Sequence, residues 1–267
     1  MSDVVKFSDF LAGIRADAEQ EVKLPEGWAQ GRAFFGGFSA AIAFQHAKLG
    51  VDGEQPIRAL TISFVGPLEP GKATLQRTIL REGKSVTQVR VEILQNGGVQ
   101  LSGLFTFGRS RPSQVSITDT LPAEVPGREH GLPFPKTPIL PEFAHHFDYS
   151  VTVGGLPFSN TQSRQFGGWV RFCNEDTPID VGLFLGLVDA WPPAVLPMLN
   201  QPAPASSLTW TIEFPELLPT HKKATDWWQY VAYIDYAADG YGHTHSHVWD
   251  DDGNLVAISR QTITVFA

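Results

Sequence analysis

Cysteine is almost missing from this 267-residue chain: Cys173 stands alone, so no internal disulfide can form and the disulfide-stapled secreted classes are excluded. Charge is sparse as well. Only 18% of the residues are Asp, Glu, Lys or Arg, the formal balance is -8, and Lys and Arg nowhere cluster. Nucleic-acid binding draws on such clusters to neutralise phosphates, so no nucleic-acid partner is expected. Long apolar runs are missing too. The stretch Val181 to Val188 falls far short of the roughly 20 residues that cross a bilayer, so no membrane span is expected. The opening Met1-Ser2-Asp3-Val4-Val5-Lys6 lacks the basic region and apolar core of a secretory signal. These absences together predict a cytoplasmic enzyme or binding protein.

What the chain does have is a message stated twice. A Gly-rich helix start, Phe35-Gly36-Gly37-Phe38-Ser39-Ala40-Ala41, leads to a helix over Gly37 to Leu49, stocked with Ala and stopped by Gly50. Four alternating runs follow, Ile57 to Val65, Ala73 to Arg81, Ser85 to Gln95 and Val99 to Phe107, the last two joined by Asn96-Gly97. The second statement has strands over Phe147 to Val153 and Gly167 to Cys173. A helix over Pro178 to Asp189, with Thr177 as N-cap, comes next. Strands over Ser207 to Phe214, Trp228 to Tyr236, Gly242 to Trp249 and Leu255 to Phe266 complete it. Gly253 follows Gly97 by 156 residues, a period that indicates a duplicated domain and not a solenoid. Seven prolines between Pro112 and Pro141 rule out a central strand or helix interior there and mark a connection. The predicted division is 1–110, a linker over 111–146, and 147–267. Ahead of it all, Phe7 to Ala18 reads as a short peripheral helix with Ser8 or Asp9 as N-cap.

One long helix wrapped by an antiparallel sheet is the hot-dog arrangement, so the predicted class is α+β, a double hot dog with a long central helix in each repeat. Particular stretches carry a family resemblance. Phe34-Phe35-Gly36-Gly37, Ser63-Phe64-Val65-Gly66-Pro67-Leu68-Glu69-Pro70-Gly71 and Arg81-Glu82-Gly83-Lys84-Ser85 resemble the acyl-CoA thioesterase II type of double hot dog, as do Gly168-Trp169-Val170-Arg171 and Leu185-Gly186-Leu187-Val188-Asp189. The resemblance implies an acyl-CoA substrate, thioester hydrolysis in fatty-acid metabolism, no cofactor and no metal. Exposed sheet edges add the expectation of a homo-oligomer.

Asp189 is the first candidate from the residues themselves. It ends an almost wholly apolar helix, where burial and the negative end of the helix dipole both push a carboxyl pKa upward, toward the range of a general base. The competing reading turns it outward to solvent. The resemblance implies a catalytic Asp at this position, with a Gln and a Thr on nearby strands. Gln261, in the final strand, matches the Gln; its competing reading is an edge-strand amide facing water. Ser207 aligns with the family Thr, and Thr209, two along and expected on the same strand face, competes for the hydroxyl role. Gly36 and Gly37 are candidates for substrate binding, their backbone N–H groups at a helix start polarising a carbonyl, or else simply permit tight packing. In the first repeat Gln45 and His46 fall near the place of Asp189, and Phe105 stands 156 residues before Gln261, which predicts one working site per chain.

Other constellations compete. His243, His245 and His247 alternate on one strand face, as a metal site or as a bland row. Counting across a two-residue Asp252-Gly253 turn sets Asp251 against Asn254 and Gln261 against Thr244, with the histidines on the other face; Asp250-Asp251-Asp252 is then a solvated hairpin tip. Ser39, Asp189 and His243 occur in the order of an α/β-hydrolase triad, against which stands the run of hairpin-linked strands. Non-catalytic acyl-CoA or lipid binding, and a hot-dog dehydratase or hydratase, are the remaining alternatives.

Overall fold

The computed structural model describes residues 4–118, 123–137 and 140–266; the predicted readings that fall on Met1 to Asp3, Pro122 and Pro138 lie outside the described residues. A short helix α1 (Phe7–Ala12) precedes strand β1 (Glu19–Leu24), the small hairpin β2 (Ala29–Gln30) and β3 (Ala33–Phe34), and helix α2 (Gly36–Lys48). Strands β4 (Ile57–Phe64), β5 (Gly71–Glu82), β6 (Val86–Gln95) and β7 (Gly98–Gly108) complete the first half. The second half holds β8 (Phe147–Val153), β9 (Gln165–Phe172), helix α3 (Val181–Val188), β10 (Ala205–Glu213), β11 (Trp228–Ala238), β12 (Tyr241–Trp249) and β13 (Leu255–Val265). No helix among the described residues is long and apolar enough to cross a membrane.

Eleven strands form one sheet in the order β1-β5-β6-β7-β4-β10-β13-β12-β11-β9-β8, every neighbouring pair antiparallel. The two halves meet at β4 and β10, registered from Ser63 opposite Thr209 to Ala59 opposite Glu213. Outward from that seam the first five strands on each side correspond, β4-β7-β6-β5-β1 to β10-β13-β12-β11-β9, which makes the chain pseudo-two-fold symmetric apart from the extra edge strand β8. The registers fix the equivalences. Leu60, Phe105 and Val89 lie side by side across β4, β7 and β6; Trp210, Gln261 and Thr244 lie side by side across β10, β13 and β12. The ladder of β4 slips between Ile57 and Ala59, and that of β10 slips at the matching place, between Ser207 and Thr209.

Helix α2 forms from Ala-rich sequence with no polar face. From Gly37 to Ala47 all of its residues but Gln45 are buried, as befits a helix enclosed on all sides. Helix α3 is likewise enclosed but only eight residues long, so the expectation of a long helix in each repeat holds for the first alone. Its start explains the difference. Pro178 bridges to Lys223, and the Ile179 N–H donates to the Lys222 carbonyl, so this segment is extended. Asp180, not Thr177, is the N-cap, its side chain accepting from the Leu183 N–H at 2.8 Å.

Helix α1 also ends early, at Ala12, where Gly13 donates back to the Asp9 and Phe10 carbonyls. Neither Ser8 nor Asp9 caps it. The Phe7 N–H and the Ser8 hydroxyl both donate to buried Glu175 at 2.7 Å, which ties the start of α1 to the second half. The described part of the proline-rich connection packs on the body of the molecule: Phe143 stacks on Phe35, His146 on Trp28, and Phe134 on Tyr149.

Candidate active site

Asp189 is the residue at which α3 stops. The next carbonyl, that of Ala190, accepts a hydrogen bond at 2.9 Å from the hydroxyl of buried Tyr149 on β8, which fixes the end of the helix. The carboxylate is held from two other directions. Gln261 on β13 donates its Nε2–H to Oδ1 at 2.8 Å, and the backbone N–H of Gly37, in the first turn of α2, donates to Oδ2 at 2.7 Å. Asp189 keeps a small residual exposure and lies otherwise within the protein. Burial lifts its pKa to about 7, against the opposing pull of hydrogen bonds from Gln261, Gly37 and Gly36. At neutral pH such a carboxyl group is divided between a proton-accepting and a proton-carrying form.

Both glycines are needed for close approach. A Cβ on Gly36 would lie 2.8 Å from Asp189 Oδ2 and from the ring of Phe64. One on Gly37 would lie 2.9 Å from the Gly186 Cα and the Leu185 carbonyl of α3. The Gly37 N–H is engaged by Asp189, so it is not the free donor to a substrate carbonyl that its place in the sequence suggests.

Gln261 faces inward between Trp210 and Thr244, both buried, and the Trp210 Nε1–H donates to Ser259 Oγ at 2.8 Å. The reading that turned this amide toward solvent is therefore excluded. The hydroxyl candidates part company. Ser207 lies opposite Ile263, on the face of Gln261, whereas the slip at Leu208 sets Thr209 opposite Thr262 on the outer face, where it is exposed. The expectation that Ser207 and Thr209 share a face is corrected by that bulge.

The pseudo-two-fold mate of this cluster is apolar. Phe105 takes the place of Gln261, Ile57 that of Ser207, and Phe214 that of Phe64. Matching the starts of the two helices, Gly36-Gly37 to Val181-Gly182, sets Phe44 in the place of Asp189, and its ring lies 6.3 Å from that of Phe105. This corrects the assignment to Gln45 and His46. His46 is fully buried elsewhere, between Gln20 and the Ala18 carbonyl, and burial lowers its pKa.

The other constellations resolve on geometry. Thr244 does oppose Gln261, though by a different route than the counted turn: Asp250 bonds to Asn254 across a three-residue loop, and a bulge after Val248 restores the register. His243, His245 and His247 thus occupy the outer face, where Tyr233 stacks on His245 and Asp235 pairs with it at 2.8 Å. His243 is cut off from Ser39, which is buried in α2 and donates to the Phe35 carbonyl, so the triad does not assemble. Among the described residues, Asp250, Asp251 and Asp252 are the acidic or imidazole group whose ligand atoms converge, within 4.8 Å. Asp250 is buried and accepts from the Asp252 and Asn254 backbones, and Lys222 pairs with Asp251 and Asp252, so the tip is not simply solvated. Sequence reasoning missed Tyr149 and Phe64, which flank the cluster; only the aromatic content of their strands hinted at them.

Comparison with known proteins gives the family and the fold. A family model described as the acyl-CoA thioesterase C-terminal domain matches residues 119–265, and one described as the N-terminal domain matches residues 24–108. No curated protein matches the chain in sequence. Among solved structures, a conserved protein of unknown function with hot dog fold from Alicyclobacillus acidocaldarius is 22% identical with a TM-score of 0.86, the alignment covering 98% of each chain. An acyl-CoA thioesterase II, TesB2, from Mycobacterium marinum is 21% identical with a TM-score of 0.68, over 87% of this chain and 89% of that one. The tesB protein of Mycobacterium avium subs paratuberculosis is 15% identical with a TM-score of 0.78, over 98% of each. These likenesses establish the hot-dog fold.

Proposed function

This chain belongs to the acyl-CoA thioesterase family, and on that premise we propose that it hydrolyses an acyl-CoA thioester to a free carboxylic acid and CoA. The observation that carries the reading is the pairing of Asp189 with Gln261 at 2.8 Å, the carboxyl group having a pKa of about 7. In its charged form Asp189 takes a proton from a water molecule that Gln261 helps to orient. The water oxygen bonds to the thioester carbon, and the carbonyl π pair moves onto oxygen. Collapse breaks the C–S bond, and the proton held by Asp189 passes to the departing CoA sulfur. A positioned base of matched pKa contributes about 10²- to 10⁴-fold. Ser207, on the same sheet face as Gln261, is the hydroxyl we assign to the water or the carboxylate. No cofactor enters this chemistry, and water and acyl-CoA are the reactants. The sheet ends at β1 and β8, and pairing of such edges with a second copy remains our reading of the assembly.

The test is release of CoA from an acyl-chain series by the wild-type protein and by Asp189→Asn. Hydrolysis by the first and a loss of about 10²-fold or more in the second supports the proposal. Binding of acyl-CoA with no release by either protein would assign the chain to the non-catalytic binders.

A further inference from the structure

The pseudo-two-fold axis carries the Asp189 cluster onto a second place, where the C-terminal end of α2 meets the start of α3, and that place is hollow. A cavity of about 350 Å³ lies there, within the range of small-molecule sites. Its floor is formed by Phe44, Ile57 and Phe214, the counterparts of Asp189, Ser207 and Phe64, together with Phe107 and Val181. Asp189 and Ser207 thus have apolar counterparts in its lining, and Gln261 has one in Phe105, beside Phe44. The hollow has therefore lost the means to attack a carbonyl and kept the means to bury a hydrocarbon chain, at about 25 cal/mol for each Å² removed from water.

Its mouth is polar and incomplete. Lys48, Asp52 and Glu216 stand at the rim. Arg109 pairs with Asp52 and Glu54, whereas Lys48, exposed at the end of α2, has no ion-pair partner among the described residues. Between rim and floor sits Gln55, only 8% exposed, whose Oε1 is buried without a hydrogen-bond partner.

We infer that this cavity is a second, non-catalytic binding site, which takes a free aliphatic carboxylic acid with its chain on Phe44, Ile57, Phe107 and Phe214 and its carboxylate at Lys48. Glu216 sets the polarity of entry by repelling the head from its own side of the rim. The choice of ligand class rests on the proposed hydrolysis, which releases such acids; the cavity and its mouth do not depend on it.

Decanoate is the probe, titrated calorimetrically into the full chain while S-decyl-CoA, a thioether with no bond to hydrolyse, occupies the Asp189 cluster. One equivalent of decanoate binds under this condition. Leu218→Trp, which fills the cavity from its partly buried lining, weakens that equivalent at least tenfold and leaves the KM for decanoyl-CoA unchanged. Lys48→Glu, on the exposed rim, weakens decanoate several-fold and not decanol. Complete displacement of decanoate by S-decyl-CoA, or a second equivalent indifferent to both substitutions, overturns the inference. Decanoyl-CoA hydrolysis in the same preparation reports separately on the proposed function.

Discussion

Gly37 in the first half of the chain donates its backbone N–H to Asp189 in the second half at 2.7 Å, so the start of one helix holds the end of the other. Two opposed influences meet at that carboxylate. The N-terminal end of α2 favours its charge, and the enclosure of the C-terminal end of α3 disfavours it. Enclosure wins, and the group titrates near neutrality instead of near its usual 3.8.

That balance has a cost in stability whose sign is fixed. The folded pKa of about 7 lies above the unfolded value of 3.8, so between these limits the folded chain retains a proton that the unfolded chain has released. The contribution is fully favourable below about pH 4 and is lost as pH rises to 7. Three units correspond to about 4 kcal/mol, an upper bound for a group with some exposure. Asp189→Asn removes this dependence. Urea midpoints at pH 5 and pH 8 are expected to differ more for the wild type than for the variant, with the variant the more stable at pH 8. A variant that is less stable at both would show that the carboxylate supports the fold instead of straining it.

Gln261→Leu deletes a hydrogen bond that favours the charged form of Asp189, so the pKa moves upward from about 7. Hydrolysis in the wild type is expected to rise with pH through that region. In Gln261→Leu the rise shifts to higher pH and the plateau falls at least tenfold. A profile that keeps its midpoint would separate the amide from the titration.

The two hydroxyls make opposite predictions because they face opposite ways. Ser207→Ala is expected to lower kcat by roughly tenfold, in keeping with the loss of one hydrogen bond of about 1 kcal/mol or more near the reacting atoms. Thr209→Ala, on the exposed outer face, leaves kcat and KM within a factor of two. Equal effects from both would remove Ser207 from the mechanism.

Much of this arrangement was legible in advance, and the misses share a cause. Phe147–Val153 alternates apolar and polar residue types along its length and Val86–Gln95 alternates in burial, so period places both to within a residue. Asp189 stood out because a carboxyl group in an apolar helix invites explanation, whereas Gln261, set among Ser259, Arg260 and Thr262, was reached only through the family resemblance. Thr209 misled because a single bulge at Leu208 inverts the face of everything before it, and no residue type announces a bulge. β1 escaped notice because Glu19, Glu21 and Lys23 face water and leave only Gln20 and Leu24 buried. Phe44 as the counterpart of Asp189 required the start of α3 at Val181, three residues after the predicted Pro178, because the match is counted from the helix starts.

Gly36→Ala tests the tolerance of the cluster most directly. The added methyl would meet Asp189 Oδ2 and the Phe64 ring at 2.8 Å, so one of them must move. Overpacking of this kind costs about 1–3 kcal/mol. The expected outcome is a tenfold or greater fall in kcat together with a lowered urea midpoint. Unchanged kinetics would mean that the carboxylate need not sit where it does.

The seam between β4 and β10 has a last consequence, for how molecules get in and out. With Ala59 to Ser63 laddered onto Thr209 to Glu213, the halves are one continuous slab, and there is no clamshell for a guest to pry open. Entry and departure then fall to local fraying at the loops and helix ends, which costs less than parting the whole sheet. The traffic of any guest through this protein is thus a matter of small doors opening often, not of a large gate swinging wide.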